Sequence, residues 1–138
     1  MSEEQQAQEE VQQATPYELI GGEGKVFALV DRFYDLMDET PEYYGIRKLH
    51  PATLDGSRAK LKMYLSGWLG GPQLYVEKFG HPRLRARHLP FSIGADERNQ
   101  WLACMYSAME HEGMSQELQA HLREAFFGVA DWMRNREG

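Results

Sequence analysis

Gly80-His81-Pro82-Arg83-Leu84-Arg85-Ala86-Arg87-His88-Leu89-Pro90-Phe91 is the stretch on which the fold of this chain turns. It places a histidine at the end of an arginine-rich segment and an apolar Leu-Pro-Phe step directly after it. A neutral imidazole is a common axial ligand for haem iron. Guanidinium groups beside it can hold the carboxylates of a bound cofactor, and Leu89-Pro90-Phe91 can seal the apolar side of such a site. A basic segment ending in histidine is more often a solvated surface; the surrounding chain decides between the two.

On both sides the pattern is helical. From about Glu23 to Asp38, Val26, Val30, Phe33 and Met37 recur at i, i+4, i+7 and i+11, a helical stripe widened by Phe27, Tyr34 and Leu36. From Leu54 to Leu69 the stripe is Leu54, Ser57, Leu61, Tyr64 and Trp68, with Leu65 alongside, and Gly70-Gly71-Pro72 stops it. After a connection at Phe91-Ser92-Ile93-Gly94, a helix is predicted from about Ala95 to Glu110, with Trp101, Met105, Ala108 and Met109 inward and Gly113 ending it. The last helix opens at the cap Ser115 with acidic Glu117 in its first turn. It turns Leu118, Leu122, Ala125, Phe126, Val129 and Met133 inward, and Arg134 and Arg136 suit the dipole at its C-terminal end.

Shorter elements fill the gaps. Thr15 caps a short helix, Pro16 suits its first position, Glu18 completes a capping box and Gly21-Gly22 ends it. Thr40-Pro41 begins a short segment reaching His50-Pro51. No segment alternates with period two over a convincing length. The prediction is an all-α protein with four principal helices and several short ones, its domain spanning residues 15–138. Residues 1–14, with four Glu, five Gln and no Lys or Arg, read as a solvated, disordered polar extension.

A chain of 138 residues suits one compact domain. Apolar residues make up 42% and charged residues 26%, the balance of an ordinary soluble protein. A net charge of -6 argues against nucleic acid or an anionic membrane as partner, with Arg83, Arg85 and Arg87 the local exception. The one cysteine, Cys104, excludes an intrachain disulfide and any Cys-based zinc or iron–sulfur centre. No apolar run approaches the about 18 residues of a membrane helix. The N-terminus has no basic-then-apolar leader, so the cytoplasm is the expected compartment.

Several motifs, in combination and order, closely resemble one family. They are Pro16-Tyr17-Glu18-Leu19-Ile20-Gly21-Gly22, Arg32-Phe33-Tyr34, Leu69-Gly70-Gly71-Pro72, Gly80-His81-Pro82 with Arg85-Ala86-Arg87-His88-Leu89-Pro90-Phe91, and Trp101-Leu102-Ala103-Cys104-Met105. The family is the truncated haemoglobins, and within it the second group, often called the O type; the resemblance covers residues 16–133. It implies a truncated globin, a two-over-two helical sandwich around one b-type haem. The absence of Cys-x-x-Cys-His makes that haem noncovalent. The function implied is reversible binding of O2 and other diatomic ligands such as NO and CO at a pentacoordinate ferrous iron. An alternative is a haem redox enzyme, turning over nitric oxide, peroxide or nitrite with an electron-donating reductase as partner. A helical interaction module without cofactor is the third class. As an assembly, a monomer or homodimer is expected.

The resemblance also assigns roles. His88 falls on the proximal iron ligand. Tyr34 matches the distal tyrosine, whose hydroxyl donates to a negatively polarised ligand, and Trp101 matches the tryptophan that marks this group, whose indole N–H donates and never accepts. Plain core packing is the alternative for both. His50 falls where the group carries Tyr, Phe or His at the distal wall, as a hydrogen-bond partner or as a sixth ligand. Ser57 and Leu61, one helical turn apart, line the distal helix. Ser57 stands where larger globins place a distal histidine, so polar control passes to Tyr34, His50 and Trp101. Lys60 and Tyr75 match residues that contact the haem propionates, Arg87 adjoins His88, and Phe91 closes the apolar side. His81, His111 and His121 are expected to be solvated. Two features depart from the pattern: residues 1–14 have no counterpart in the core family, and Glu42-Tyr43-Tyr44-Gly45-Ile46 is longer than in many members.

Overall fold

The computed structural model describes residues 14–135, the side chain of Arg85 excepted. In chain order the elements are α1 (Pro16–Ile20), α2 (Glu23–Glu39), a 3-10 turn (Pro41–Tyr43), α3 (Tyr44–Arg47), α4 (Asp55–Trp68), α5 (Leu74–Phe79), α6 (Leu84–His88), α7 (Ala95–His111) and α8 (Gln116–Trp132). No strand occurs among the described residues. Helix α2 packs on both α4 and α7, and α8 packs on α7. The short turn at 112–115 folds α8 back along α7. The result is one helix pair, α2 with α4, over another, α7 with α8, the predicted two-over-two arrangement. The polar extension, residues 1–13 of it, lies outside the described residues, as does Arg136.

The stripes explain this packing. Val26, Val30, Phe33 and Met37 are all buried, and Leu29 and Tyr34 join them, while Phe27 and Leu36 stay half-buried. On α7, Met105, Ala108 and Met109 are buried as expected, with Leu102 and Cys104 added; Trp101 is only half-buried. On α8, Leu118, Leu122, Phe126 and Met133 are buried, whereas Ala130 and Gln119 take the places expected of Ala125 and Val129. Gln119 enters the core because its amide donates to Met114 O at 2.8 Å. Helix α4 differs in kind: Leu54 and Leu65 are buried, but Ser57, Leu61, Tyr64 and Trp68 are half-covered. Part of its stripe meets other helices, Trp68 stacking on Phe126 of α8 and Tyr64 edge-on to Tyr75 of α5, and the rest is incompletely covered.

Caps and glycines set the ends. Thr15 Oγ1 accepts from Glu18 N–H at 3.2 Å, and Ser115 Oγ from Leu118 N–H at 3.2 Å, the two caps predicted. The reciprocal half of a capping box, expected at Glu18, forms instead at α7, where Glu97 Oε1 accepts from Gly94 N–H at 2.9 Å. Gly70-Gly71 does more than stop α4. Helix α1 crosses there, with Tyr17 N–H donating to Leu69 O at 3.0 Å. A Cβ on Gly71 would lie 2.5 Å from the Tyr17 ring, and Gly70 holds φ at +97°. Between α2 and α4, Arg58 meets Asp35 at 2.7 Å and Asp31 at 3.2 Å, and Lys62 meets Asp31 at 3.1 Å.

Candidate functional site

His88 ends α6, against which no other helix packs extensively among the described residues. The segment is braced locally: Arg87 Nε donates to Pro82 O at 2.8 Å, and Arg83, at φ +49°, donates its N–H to His81 Nδ1 at 3.0 Å. His88 is half-buried, and its Nδ1 lies 2.6 Å from Leu84 O. A carbonyl only accepts, so Nδ1 carries the proton and Nε2 keeps a lone pair. That nitrogen has no partner among the described residues. An imidazole fixed through Nδ1–H to a backbone carbonyl has the orientation and tautomer of a metal-ligating histidine.

Tyr34, His50 and Trp101 come together in a second cluster. Phe33 is the spacer, with its ring centroid 5.0 Å from Tyr34 and 5.3 Å from Trp101. The His50 ring stands edge-on to Tyr34 at 5.8 Å. Tyr34 is 6% exposed, and its hydroxyl has no protein partner among the described residues. No fully buried side-chain polar atom there is unpaired, so Tyr34 Oη borders open space; the same holds for Trp101 Nε1. Burial pushes the Tyr34 pKa up against the opposing pull of the Arg58 guanidinium, which sits 5.8 Å from its ring centroid. Tyr34 is thus a protonated donor at any physiological pH.

His50 is held firmly. Its Nδ1–H donates to Ile46 O at 2.8 Å. Arg47 ties the loop down, donating to Asp38 Oδ1 at 2.9 Å, Pro51 O at 2.9 Å and Ala52 O at 2.8 Å. Gln100 Oε1 accepts from Ile46 N–H at 3.1 Å, which joins α3 to α7. Burial lowers the His50 pKa; its bond to Ile46 O opposes this, and the charges of Arg47 and His88 reinforce it.

The remaining predicted residues surround this pair of walls less tightly. Ser57 and Leu61 are half-buried on α4, and Leu61 packs on the core. Tyr75 is buried, with Tyr64 at 6.2 Å and Phe79 at 4.9 Å between ring centroids. Lys60, Arg87 and Phe91 are exposed, as are His81, His111 and His121. A separate cleft of about 180 Å³ lies beside Leu19, Lys25, Leu29 and Glu112, and it contains no histidine. Sequence reasoning missed Phe33, Arg47, Arg58 and Gln100, which position the distal side chains. One signal was present: Asp31 and Asp35 on α2, and Arg58 and Lys62 on α4, are complementary i,i+4 charge pairs on two predicted helices.

The chain and its overall fold are similar to those of known proteins. The sequence profile of the bacterial-like globins matches residues 15–135. The group 2 truncated hemoglobin YjbI of Bacillus subtilis (strain 168) is 43% identical over 113 residues, covering 82% of this chain and 80% of that protein. The group II 2-on-2 hemoglobin of the plant pathogen Agrobacterium tumefaciens superposes with a TM-score of 0.86 at 46% identity, over 91% of this chain and 96% of that one. The truncated oxygen-avid haemoglobin of Bacillus subtilis superposes with a TM-score of 0.80 at 40% identity, over 88% of this chain and 100% of that one. With the helix pairs, the Nδ1-anchored histidine and the Tyr–His–Trp wall already in place, this chain belongs to the bacterial-like globins, as a group II truncated haemoglobin.

Proposed function

We propose that this chain holds one noncovalent b-type haem between His88 and the wall of Tyr34, His50 and Trp101, and binds O2 reversibly there. Family membership implies a haem cofactor and small gaseous ligands such as O2, and likeness to an oxygen-avid haemoglobin supports O2 over other gases. The observation that carries the proposal is the unpartnered state of His88 Nε2 and of two donors, Tyr34 Oη and Trp101 Nε1, together with half-covered Ser57 and Leu61 on α4 and a His50 close enough to feel the charge of His88. When bound, haem supplies a ferrous iron able to take a diatomic gas as ligand.

The chain's own residues do the rest. His88 Nε2 offers its lone pair, and the bond from Nδ1–H to Leu84 O strengthens it as a base. Tyr34 and Trp101 donate to negative charge developing on the gas, in a crevice where low polarity strengthens the bond. Ser57 and Leu61 leave a narrow, mostly apolar floor. Lys60, Tyr75 and Arg87 offer donors to the propionates, and Phe91 covers the apolar edge. Stopped-flow mixing of the ferrous protein with O2, then NO, tests the function: slow O2 release with little turnover is expected. Rapid catalytic NO consumption with a reductase would establish the redox alternative instead.

His50 adds a pH dependence. Neutral, with its proton on Nδ1, it presents Nε2 as an acceptor only; a second proton turns Nε2 into a donor. Its pKa lies below the ordinary histidine value, and Tyr34, Arg47 and His88 are the titratable or charged groups around it. O2 release is therefore expected to slow as pH falls through that lowered pKa and to be flat above it. His50→Ala removes the slope. Identical pH profiles in the two proteins would remove His50 from the site, and a low-spin wild type turned high-spin by the substitution would make it a sixth ligand.

Residues 1–14 have no apolar stripe with which to enter a core. A chain beginning at Thr15 is expected to keep the wild-type haem spectrum and most of its thermal stability. Loss of haem on truncation would show that the extension covers the crevice.

A further inference from the structure

Asn135 lies just beyond α8, and its side chain bonds to His88 and the segment that follows it. Its Oδ1 accepts from Ile93 N–H at 2.9 Å, while Nδ2 donates to Phe91 O at 2.8 Å and to His88 O at 3.2 Å. Its backbone N–H donates to Ile93 O at 2.8 Å. Only one orientation of the amide satisfies an N–H on one side and two carbonyls on the other, so the assignment is fixed by the partners. The segment has few other anchors. Among the described residues no other helix packs extensively on α6, and Leu89 and Phe91 are exposed. Helix α8, by contrast, is seated in the core through Leu122 and Phe126, and Met133 beyond its last turn is also buried.

We propose that Asn135 is a positioning residue for His88. By clamping residues 88–93 to the end of α8, it sets the distance and tilt at which the imidazole would meet the haem iron, so that haem retention and the strength of the iron–histidine bond depend on a side chain that reaches His88 only through its backbone carbonyl. The inference rests on the assignment of His88 as the proximal ligand. It also explains why an amide suits the position: a carboxylate would keep the bond to Ile93 N–H but set oxygen against the carbonyls of His88 and Phe91.

The test uses the full-length haem-loaded protein with Asn135→Ala and Asn135→Asp, and His88→Ala as reference. Three quantities are read: the rate of haem transfer to an excess of a scavenging apoglobin, the iron–histidine stretching band of the ferrous gas-free protein by resonance Raman, and the melting temperature. Both Asn135 substitutions are expected to raise haem loss about ten-fold, since Ala loses all three side-chain bonds and Asp the two to carbonyls. Both should also shift and broaden the band, Asp at least as much as Ala. A lower melting temperature with the band unmoved would make Asn135 merely structural and overturn the proposal, as would wild-type haem loss in both. A His88→Ala protein that keeps the wild-type band would overturn the proximal assignment itself, and the clamp with it.

Discussion

Replacing His88 by alanine is expected to abolish normal haem binding, or to leave a loosely held haem with an altered spectrum. His88 is the histidine of α6, and its Nε2 is the nitrogen left free by the bond from Nδ1–H to Leu84 O. Without it the iron loses its only protein bond on that face. His50 does not replace it, because Arg47 and Gln100 tie its loop to the opposite wall. Because haem binding stabilises the folded state by linkage, the melting temperature measured with haem present should fall with the affinity. A His88→Ala protein with the wild-type Soret band and ligand affinity would refute the assignment.

The second large effect is expected at the distal donors. Trp101→Phe keeps an aromatic ring against Phe33 and Phe126 but removes the N–H. Losing one hydrogen bond of about 1–2 kcal/mol corresponds to several-fold to tens-fold faster O2 release. Tyr34→Phe removes the second donor and leaves the ring under Arg58. The two rings share Phe33 as a neighbour, so the double substitution is expected to depart from the product of the single effects. Stopped-flow displacement of O2 by CO measures each rate. If both single substitutions and the double one release O2 at the wild-type rate, these residues do not stabilise the ligand.

Much of this was legible in the sequence, and the reason is periodicity. Val26, Val30, Phe33 and Met37 recur at helical spacing because one face of α2 is buried along its length, and all four are buried in the structure. Gly70-Gly71-Pro72 and Ser115 mark ends with chemistry that has few other uses. The distal trio was legible only through resemblance to a family, since nothing local links Tyr34 to His50 or Trp101. What stayed hidden were bonds between distant segments. Gln100 supports Ile46 by one hydrogen bond, and Asn135 ties residues 88–93 by several, and neither leaves a periodic trace in the chain. The half-covered stripe of α4 was equally hidden: its spacing matches that of a core helix, and only the structure shows that Ser57, Leu61, Tyr64 and Trp68 stay half-covered.

The central claim is that the iron is held by His88 from one side, with His50 on the other as a polar neighbour. The most direct measurement is the resonance Raman spectrum of the ferrous, gas-free, haem-loaded protein, prepared with and without ¹⁵N-labelled histidine. An iron–histidine stretching band that moves on labelling is expected in the wild type and in His50→Ala, and is expected to vanish in His88→Ala. A band that survives in His88→Ala, or one that is lost in His50→Ala, would contradict it.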